Sequence, residues 1–357
     1  MKIVRETVGN IPLVRIADDT YHYTFGYYAT NNWLDEHRLV LFRGTEVGYD
    51  KDFSATAEAV LVDIEAETET VLGKFFPQVV YGRLLYATRK ENDEYALFCL
   101  DTDTNQETVL YRHERRMGDF TITADGQYLV FALYADREND AQCVRMDLAD
   151  RSVTPLFSKK FQKPFPVTNH FMVNPQDPTQ VFFAHEGDTF YVSNRLWLYD
   201  KDKGVHCMAK QRLDDEGNLG DCFGHECWSH DGTGLWFVKY PCSPLPPRGL
   251  CFAGVNGEQT DVQFSAYPYW HVCCAPNNRY LTADAQNGSY SGVYVIDKET
   301  GKEVDVYHAG YLWKHPAHPH PTFSPSSEQV IFHDLLGGEQ GKLTLCIAKV
   351  ADALAQN

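Results

Sequence analysis

Fourteen of the 357 residues are histidine, and four of these share one position of a recurring pattern. Four steps back from the turn residues Asn174, Ser229, Ala275 and Ser324, the chain reads His170, His225, His271 and His320. At this frequency of histidine, chance rarely produces such a series. The last member closes the segment His315-Pro316-Ala317-His318-Pro319-His320. In an extended strand, residues two apart point to the same side, so His318 and His320 are expected to present two imidazoles together. With His271 from the neighbouring repeat, and His315 one loop earlier, they form a candidate cage for one divalent metal ion. The prolines stiffen the segment and so restrict the ligand directions. A histidine-rich turn that binds nothing is the simpler alternative.

Other chemistry-bearing residues lie around this series. His185 and Glu186 precede Gly187, Glu226 follows His225, and Arg195 opens the run Arg195-Leu196-Trp197-Leu198. Asp119 takes the histidine position one repeat before His170. His170, His185 and Glu186 are candidate substrate-binding residues. By residue type alone, Arg195 reads as a surface ion pair, and His185 with Glu186 as a strand-end network. Asp119 reads equally as a turn aspartate or as a hydrogen-bond partner along a channel.

The elements that must position these side chains are short strands. Stretches rich in β-branched and aromatic residues alternate with turns such as Asp125-Gly126, Asp231-Gly232 and Asn256-Gly257. Long amphipathic helical patterns are missing. One unit, an apolar start, a polar turn and an aromatic-rich strand, recurs at residues 31–44, 76–90, 120–133, 171–187, 226–240, 272–285 and 321–335. The starts are 44 to 55 residues apart, and each copy is followed by a second hairpin. Seven copies at this period predict an all-β, seven-bladed β-propeller, expected as one domain over residues 1–357. The seventh copy lacks a partner for residues 342–350. The orphan segment Ile11–Ala17 is expected to supply it, closing the ring by pairing the two termini and removing an exposed edge.

Composition narrows the function. The chain is 43% hydrophobic and 23% charged, as in folded proteins. Its formal charge of −17 argues against nucleic acid and anionic membrane as partners. It leaves room for an anionic substrate at a small cationic site. No apolar run is long enough for a membrane span, and the start of the chain lacks the apolar core of a secretion signal. Ten scattered cysteines read as reduced core residues, so a cytoplasmic location is expected.

The motifs from His170 onward resemble the oligogalacturonate lyases, enzymes of pectin breakdown. The carrying segments are His170 through Asp177, Phe183-Ala184-His185-Glu186-Gly187 and Arg195-Leu196-Trp197-Leu198. They continue with Gly224-His225-Glu226-Cys227-Trp228, His271, and His318-Pro319-His320-Pro321-Thr322-Phe323-Ser324-Pro325. The resemblance implies a seven-bladed propeller and a carbon–oxygen lyase acting on short anionic oligosaccharides of uronic acid. It implies His271, His318 and His320 as ligands of a catalytic manganese ion. Where the family has a glutamine as fourth ligand this chain has His315, and a four-histidine set also suits Zn²⁺, Ni²⁺ or Fe²⁺. The resemblance makes His225 the general base and Arg195 an arginine at the reacting sugar. His22 falls near a family histidine, with different neighbours.

These residue types fit β-elimination from a uronate. The proton on C5 is weakly acidic beside a carboxylate, and a divalent cation on that carboxylate offsets its charge. A neutral imidazole can take such a proton near neutral pH. A metal-dependent hydrolase or lactonase, and a non-catalytic interaction propeller, are the alternatives from other classes. The former would be expected to use Asp, Asn and Glu ligands, the latter to carry repeated surface motifs.

Overall fold

A computed structural model describes residues 1–26, 30–46, 57–135, 140–259, 261–286, 288, 290–311, 317–337 and 341–356. The chain opens with β1 (Lys2–Val8) and β2 (Ile11–Ala17). A four-stranded sheet follows, β3 (His22–Thr24), β4 (Arg38–Gly44), β5 (Glu58–Asp63) and β6 (Thr68–Gly73). The next holds β7 (Phe76–Tyr81), β8 (Leu84–Glu91), β9 (Glu94–Asp101) and β10 (Gln106–His113). Then come β11 (Arg116–Ile122), β12 (Tyr128–Tyr134), β13 (Ala141–Asp147) and β14 (Val153–Lys159). The fourth sheet is β15 (Val167–Asn174), β16 (Asp177–Glu186), β17 (Leu196–Asp200) and β18 (Gly204–Cys207). A three-stranded sheet has β19 (Phe223–Trp228), β20 (Gly234–Lys239) and β21 (Gly249–Gly254). The sixth is β22 (Tyr269–Cys274), β23 (Tyr280–Gln286), β24 (Ser291–Asp297) and β25 (Lys302–Ala309). The chain ends with β26 (Thr322–Phe323), β27 (Gln329–Leu336), β28 (Lys342–Lys349) and the short α1 (Val350–Leu354).

These seven antiparallel sheets are the blades of the expected seven-bladed β-propeller. The central strands are buried on both faces, as β12 and β27 show with six consecutive buried residues each. That is why their sequences read as continuous apolar runs rather than as alternation. The outer strands β6 and β10 face solvent more and are polar. Identical turns close the inner hairpins. Thr123, Ser229, Ala275 and Ser324 each donate a backbone N–H to a carbonyl five residues on, at 2.9–3.0 Å.

The seventh sheet runs β1-β2-β28-β27-β26. β2 pairs with β28, Val14 opposite Ile347, as the orphan strand required. β1 was not anticipated. It adds a fifth strand in register from Lys2↔Ala17 to Val8↔Ile11. Buried Arg15 ties β2 to β27 and β28, donating to Asp334 at 2.6 Å and Thr344 at 2.9 Å, and it reaches Tyr307 of β25 in the sixth sheet at 3.0 Å.

The chain forms two compact units, one of residues 1–85, 101–106 and 266–357, the other of residues 86–100 and 107–265. In the first, Ile11, Leu13, Val295, Phe332 and Cys346 belong to one core cluster. The second is aromatic: Phe157, Phe171, Phe183 and Trp197 share a cluster, with ring centroids 5.0–6.4 Å apart.

Candidate functional site

One backbone device places most of the histidine series. The first strand of several blades carries a β-bulge, between Gly118 and Thr121, Asn169 and Met172, and Gly224 and Cys227. The residue in the bulge takes a left-handed conformation: Asp119 at φ 52°, His170 at 55° and His225 at 54°. His320 does the same at 43°. Such a φ is costly for a residue with a Cβ and collects at functional positions. Its effect is to re-aim the side chain out of the strand's alternation. At His271 the bulge falls one residue earlier, between Tyr269 and His271.

In the first unit, His271, His318 and His320 come together, all buried, with one ring nitrogen from each within 4.8 Å of the others. Ring centroids lie 4.3 Å apart for His271 and His320, and 5.3 Å for His318 and His320. The route differs from the strand geometry expected. β26 is only two residues long, and His318-Pro319-His320 is a bend ending in the left-handed His320. Buried His333 pins that bend from behind. Both its backbone N–H, at 2.9 Å, and its Nδ1, at 3.2 Å, meet the Pro319 carbonyl, while its ring stacks on Phe25 at 4.2 Å. His315 lies outside the described residues.

Asp284 was not anticipated. It pairs across the sheet with His271 and is buried. Its carboxylate lies 2.9 Å from His271 Nδ1, accepts the His271 backbone N–H at 2.9 Å and accepts that of His320 at 3.2 Å. A carboxylate on Nδ1 sets the tautomer and leaves Nε2 as the electron-pair donor, as at many metal-binding histidines. The signal was present in Leu281-Thr282-Ala283-Asp284-Ala285, an acid inside an apolar run with no partner nearby in sequence. Three buried imidazoles, one of them oriented by a carboxylate, suit a divalent transition-metal ion. His22 stands apart from this set. Its Nδ1 accepts the Leu343 N–H at 3.1 Å, and burial, aided by Lys342, lowers its pKa to about 4.

The second unit holds a charged cluster. Arg195 is buried and donates to Glu186, and its Nε lies 3.9 Å from fully buried Glu226. Glu226 also pairs with His170 Nδ1 at 3.5 Å, and Glu186 lies 3.9 Å from the same nitrogen. Burial disfavours a charge on His170, but the Glu226 and Glu186 carboxylates outweigh it and raise its pKa to about 9. His170 is therefore a cation at neutral pH. Burial alone would raise the Glu226 pKa, yet His170 and Arg195 lower it. The surface ion pair that Arg195 suggested is instead a buried network.

His225 is partly exposed, its ring edge-on to Tyr240 at 5.1 Å. A Cβ on Gly224 would overlap the Tyr240 hydroxyl and lie 3.1 Å from Arg195 Nε. Glycine at this position is what lets Tyr240 and Arg195 close on one point. His185 stacks on Phe161 at 3.7 Å, and its Nε2 meets the Phe165 carbonyl at 2.8 Å. Asp119 accepts from the Tyr134 hydroxyl at 2.6 Å and the Phe171 N–H at 3.3 Å, linking adjacent blades.

No protein-family model matches the sequence. The chain is 26% identical over 204 residues to an oligogalacturonide lyase of Pectobacterium atrosepticum, a match covering 52% of this chain and 50% of that protein. It thus spans about half the length of that curated relative. Among solved structures, an oligogalacturonate lyase in complex with manganese superposes with a TM-score of 0.77 at 19% identity, over 98% of this chain and 96% of the other. An oligogalacturonate lyase from Vibrio parahaemolyticus gives 0.75 at 17%, over 98% and 97%. The β-propeller domain of a Pyrococcus furiosus protease gives 0.60 at 9%, over 93% and 94%. The resemblance drawn from the motifs is therefore borne out: this chain is similar to oligogalacturonate lyases, in sequence over about half its length and in fold over nearly all of it.

Proposed function

We propose that the protein is a metal-assisted lyase that cleaves short oligogalacturonides by β-elimination. The observation that carries this reading is the buried His271, His318 and His320 triad backed by Asp284, in a chain with the fold of a manganese-containing oligogalacturonate lyase. His271, His318 and His320 would hold the ion, with His315 as fourth ligand. Manganese is the first choice by likeness, and the imidazole set also suits Zn²⁺, Ni²⁺ or Fe²⁺. Bound there, the ion would supply positive charge to offset the substrate carboxylate.

The remaining work falls to side chains of this chain. His225 takes the C5 proton as a neutral imidazole. The electron pair of the C5–H bond becomes the C4=C5 double bond, and the glycosidic oxygen on C4 leaves with its bonding pair. Arg195, held in direction by Glu186 and Glu226, orients the substrate. The imidazolium of His170 adds a second cation for a uronate carboxylate, and His185 and Glu186 complete the substrate-binding set. The same reading puts the enzyme in cytoplasmic pectin catabolism, without nucleic acid or membrane as partners.

The test is incubation of the purified protein with oligogalacturonides, with and without added manganese. Metal-dependent growth of ultraviolet absorbance from the unsaturated uronate is expected. New reducing ends without that absorbance would mean hydrolysis and overturn the proposal.

A further inference from the structure

Two loops of the fourth blade pack against each other beside His185 and Arg195. The first joins β14 to β15 and reads Lys160-Phe161-Gln162-Lys163-Pro164-Phe165-Pro166. The second joins β16 to β17 over residues 187–195. A Cβ on Gly187 would lie 2.6 Å from the Phe165 ring and 2.7 Å from Val192, so glycine there is what lets the loops close. His185 completes the join, through its ring on Phe161 and its Nε2 at the Phe165 carbonyl.

The second loop is a fixed turn. Tyr191 and Val192 both donate their N–H to the Asp188 carbonyl, at 2.9 and 3.0 Å, and Phe190 N–H donates to Asp188 Oδ1 at 3.0 Å. Val192 is buried, and its carbonyl accepts from Gln211 Nε2 at 3.4 Å. Gln211 Oε1 in turn accepts the Arg195 N–H at 3.3 Å, so the turn and Arg195 share one anchor. The tip is left in solvent, Phe190 47% and Tyr191 73% exposed. Among the described residues they are the only adjacent pair of exposed large hydrophobics. Paired exposure of this kind marks a binding surface more than a single exposed ring does. Across from them, Lys160 and Lys163 are exposed, in a stretch that holds no acidic residue from Lys159 to Lys163.

We propose that these two loops form a distal subsite for the uronate units of an oligogalacturonide beyond the pair being cleaved. The inference rests on the lyase reading for its substrate. Phe190 and Tyr191 take the C–H face of a sugar ring, which suits the negative face of an aromatic ring. Lys160 and Lys163 take carboxylates, each as a point charge on a flexible stem that can follow the chain. A polyuronate is repelled by a molecule of charge −17, and cations next to Arg195 give it a side from which to enter. Continuity with Arg195 and His185 identifies the occupant as the same substrate, extended.

The experiment titrates chelator-treated protein with di-, tri- and tetragalacturonate by calorimetry, then assays the same preparations for unsaturated product after manganese is restored. Wild-type affinity should rise ~10-fold from the disaccharide to the tetrasaccharide, the scale of one stacked ring and one rim ion pair. The double variant Phe190→Ser with Tyr191→Ser, and the double variant Lys160→Gln with Lys163→Gln, should each remove most of that gain. Both should keep the wild-type affinity for the disaccharide. No binding, no gain with length in the wild type, or a gain that survives in either double variant would overturn the proposal. Length-dependent binding lost in both variants, without unsaturated product from any preparation, would refute the lyase reading and leave the subsite standing.

Discussion

Asp284 makes a prediction that separates orientation from ligation. Asp284→Asn keeps the size of the side chain but removes the charge that favours a protonated His271 Nδ1. Loss of such a partner typically weakens metal binding ~10- to 100-fold. Titration of the variant against a competing chelator should show that loss with the fold intact. His225 is tested differently. His225→Ala should lower turnover ~10²- to 10⁴-fold while metal affinity stays at the wild-type value; a lost metal would make it a ligand. His170 bears on stability. Its folded pKa of about 9 lies above the ordinary histidine value. The proton is therefore held more tightly in the folded state. Its contribution is fully present below about pH 6.5 and is lost as pH rises through about 9. Stability should fall across that window by on the order of 3 kcal/mol in free energy, and His170→Gln should flatten the decline.

The element that matters most is the innermost strand, interrupted where chemistry is placed. A regular strand would turn alternate residues into the blade core. The bulge with a left-handed residue lets Asp119, His170 and His225 leave that alternation while the strand resumes its register two residues later. Gly224 belongs to the same device. Gly224→Ala should push Tyr240 away from Arg195, at a cost of about 1–3 kcal/mol for overpacking. Thermal unfolding should show that loss together with a drop in the proposed lyase activity larger than the stability change explains. Retention of full activity would remove Tyr240 from any role beside Arg195.

Across the whole molecule, the two ends of the chain share a sheet. β2 covers the edge of β28, and β1 then becomes the outer edge. Arg15 is the charged centre of this closure, bonded to groups from β25, β27 and β28. Removing one partner of such a buried set leaves the other charge unpaired, which costs about 3–5 kcal/mol. Arg15→Ala should lower the denaturant midpoint accordingly. An unchanged midpoint would mean that Asp334 finds another partner.

The blade count, the terminal strand pairing and the histidine series were all legible in the sequence, because each rests on local periodicity. Doubly buried strands need continuous apolar runs, their turns need a few residue types, and repetition makes both visible. The site was legible only as a list of residue types. The list held His271, His318 and His320, but their convergence depends on a bend and a left-handed His320 that the i, i+2 rule for strands does not describe. Asp284, Tyr240 and His333 passed unnoticed because their meaning lies in partners distant along the chain. Tertiary structure alone decided that Arg195 is buried between two carboxylates and that His170 carries a charge. Those properties come from desolvation and from neighbours brought within 4 Å by the packing of separate strands, and no local pattern in a sequence encodes them.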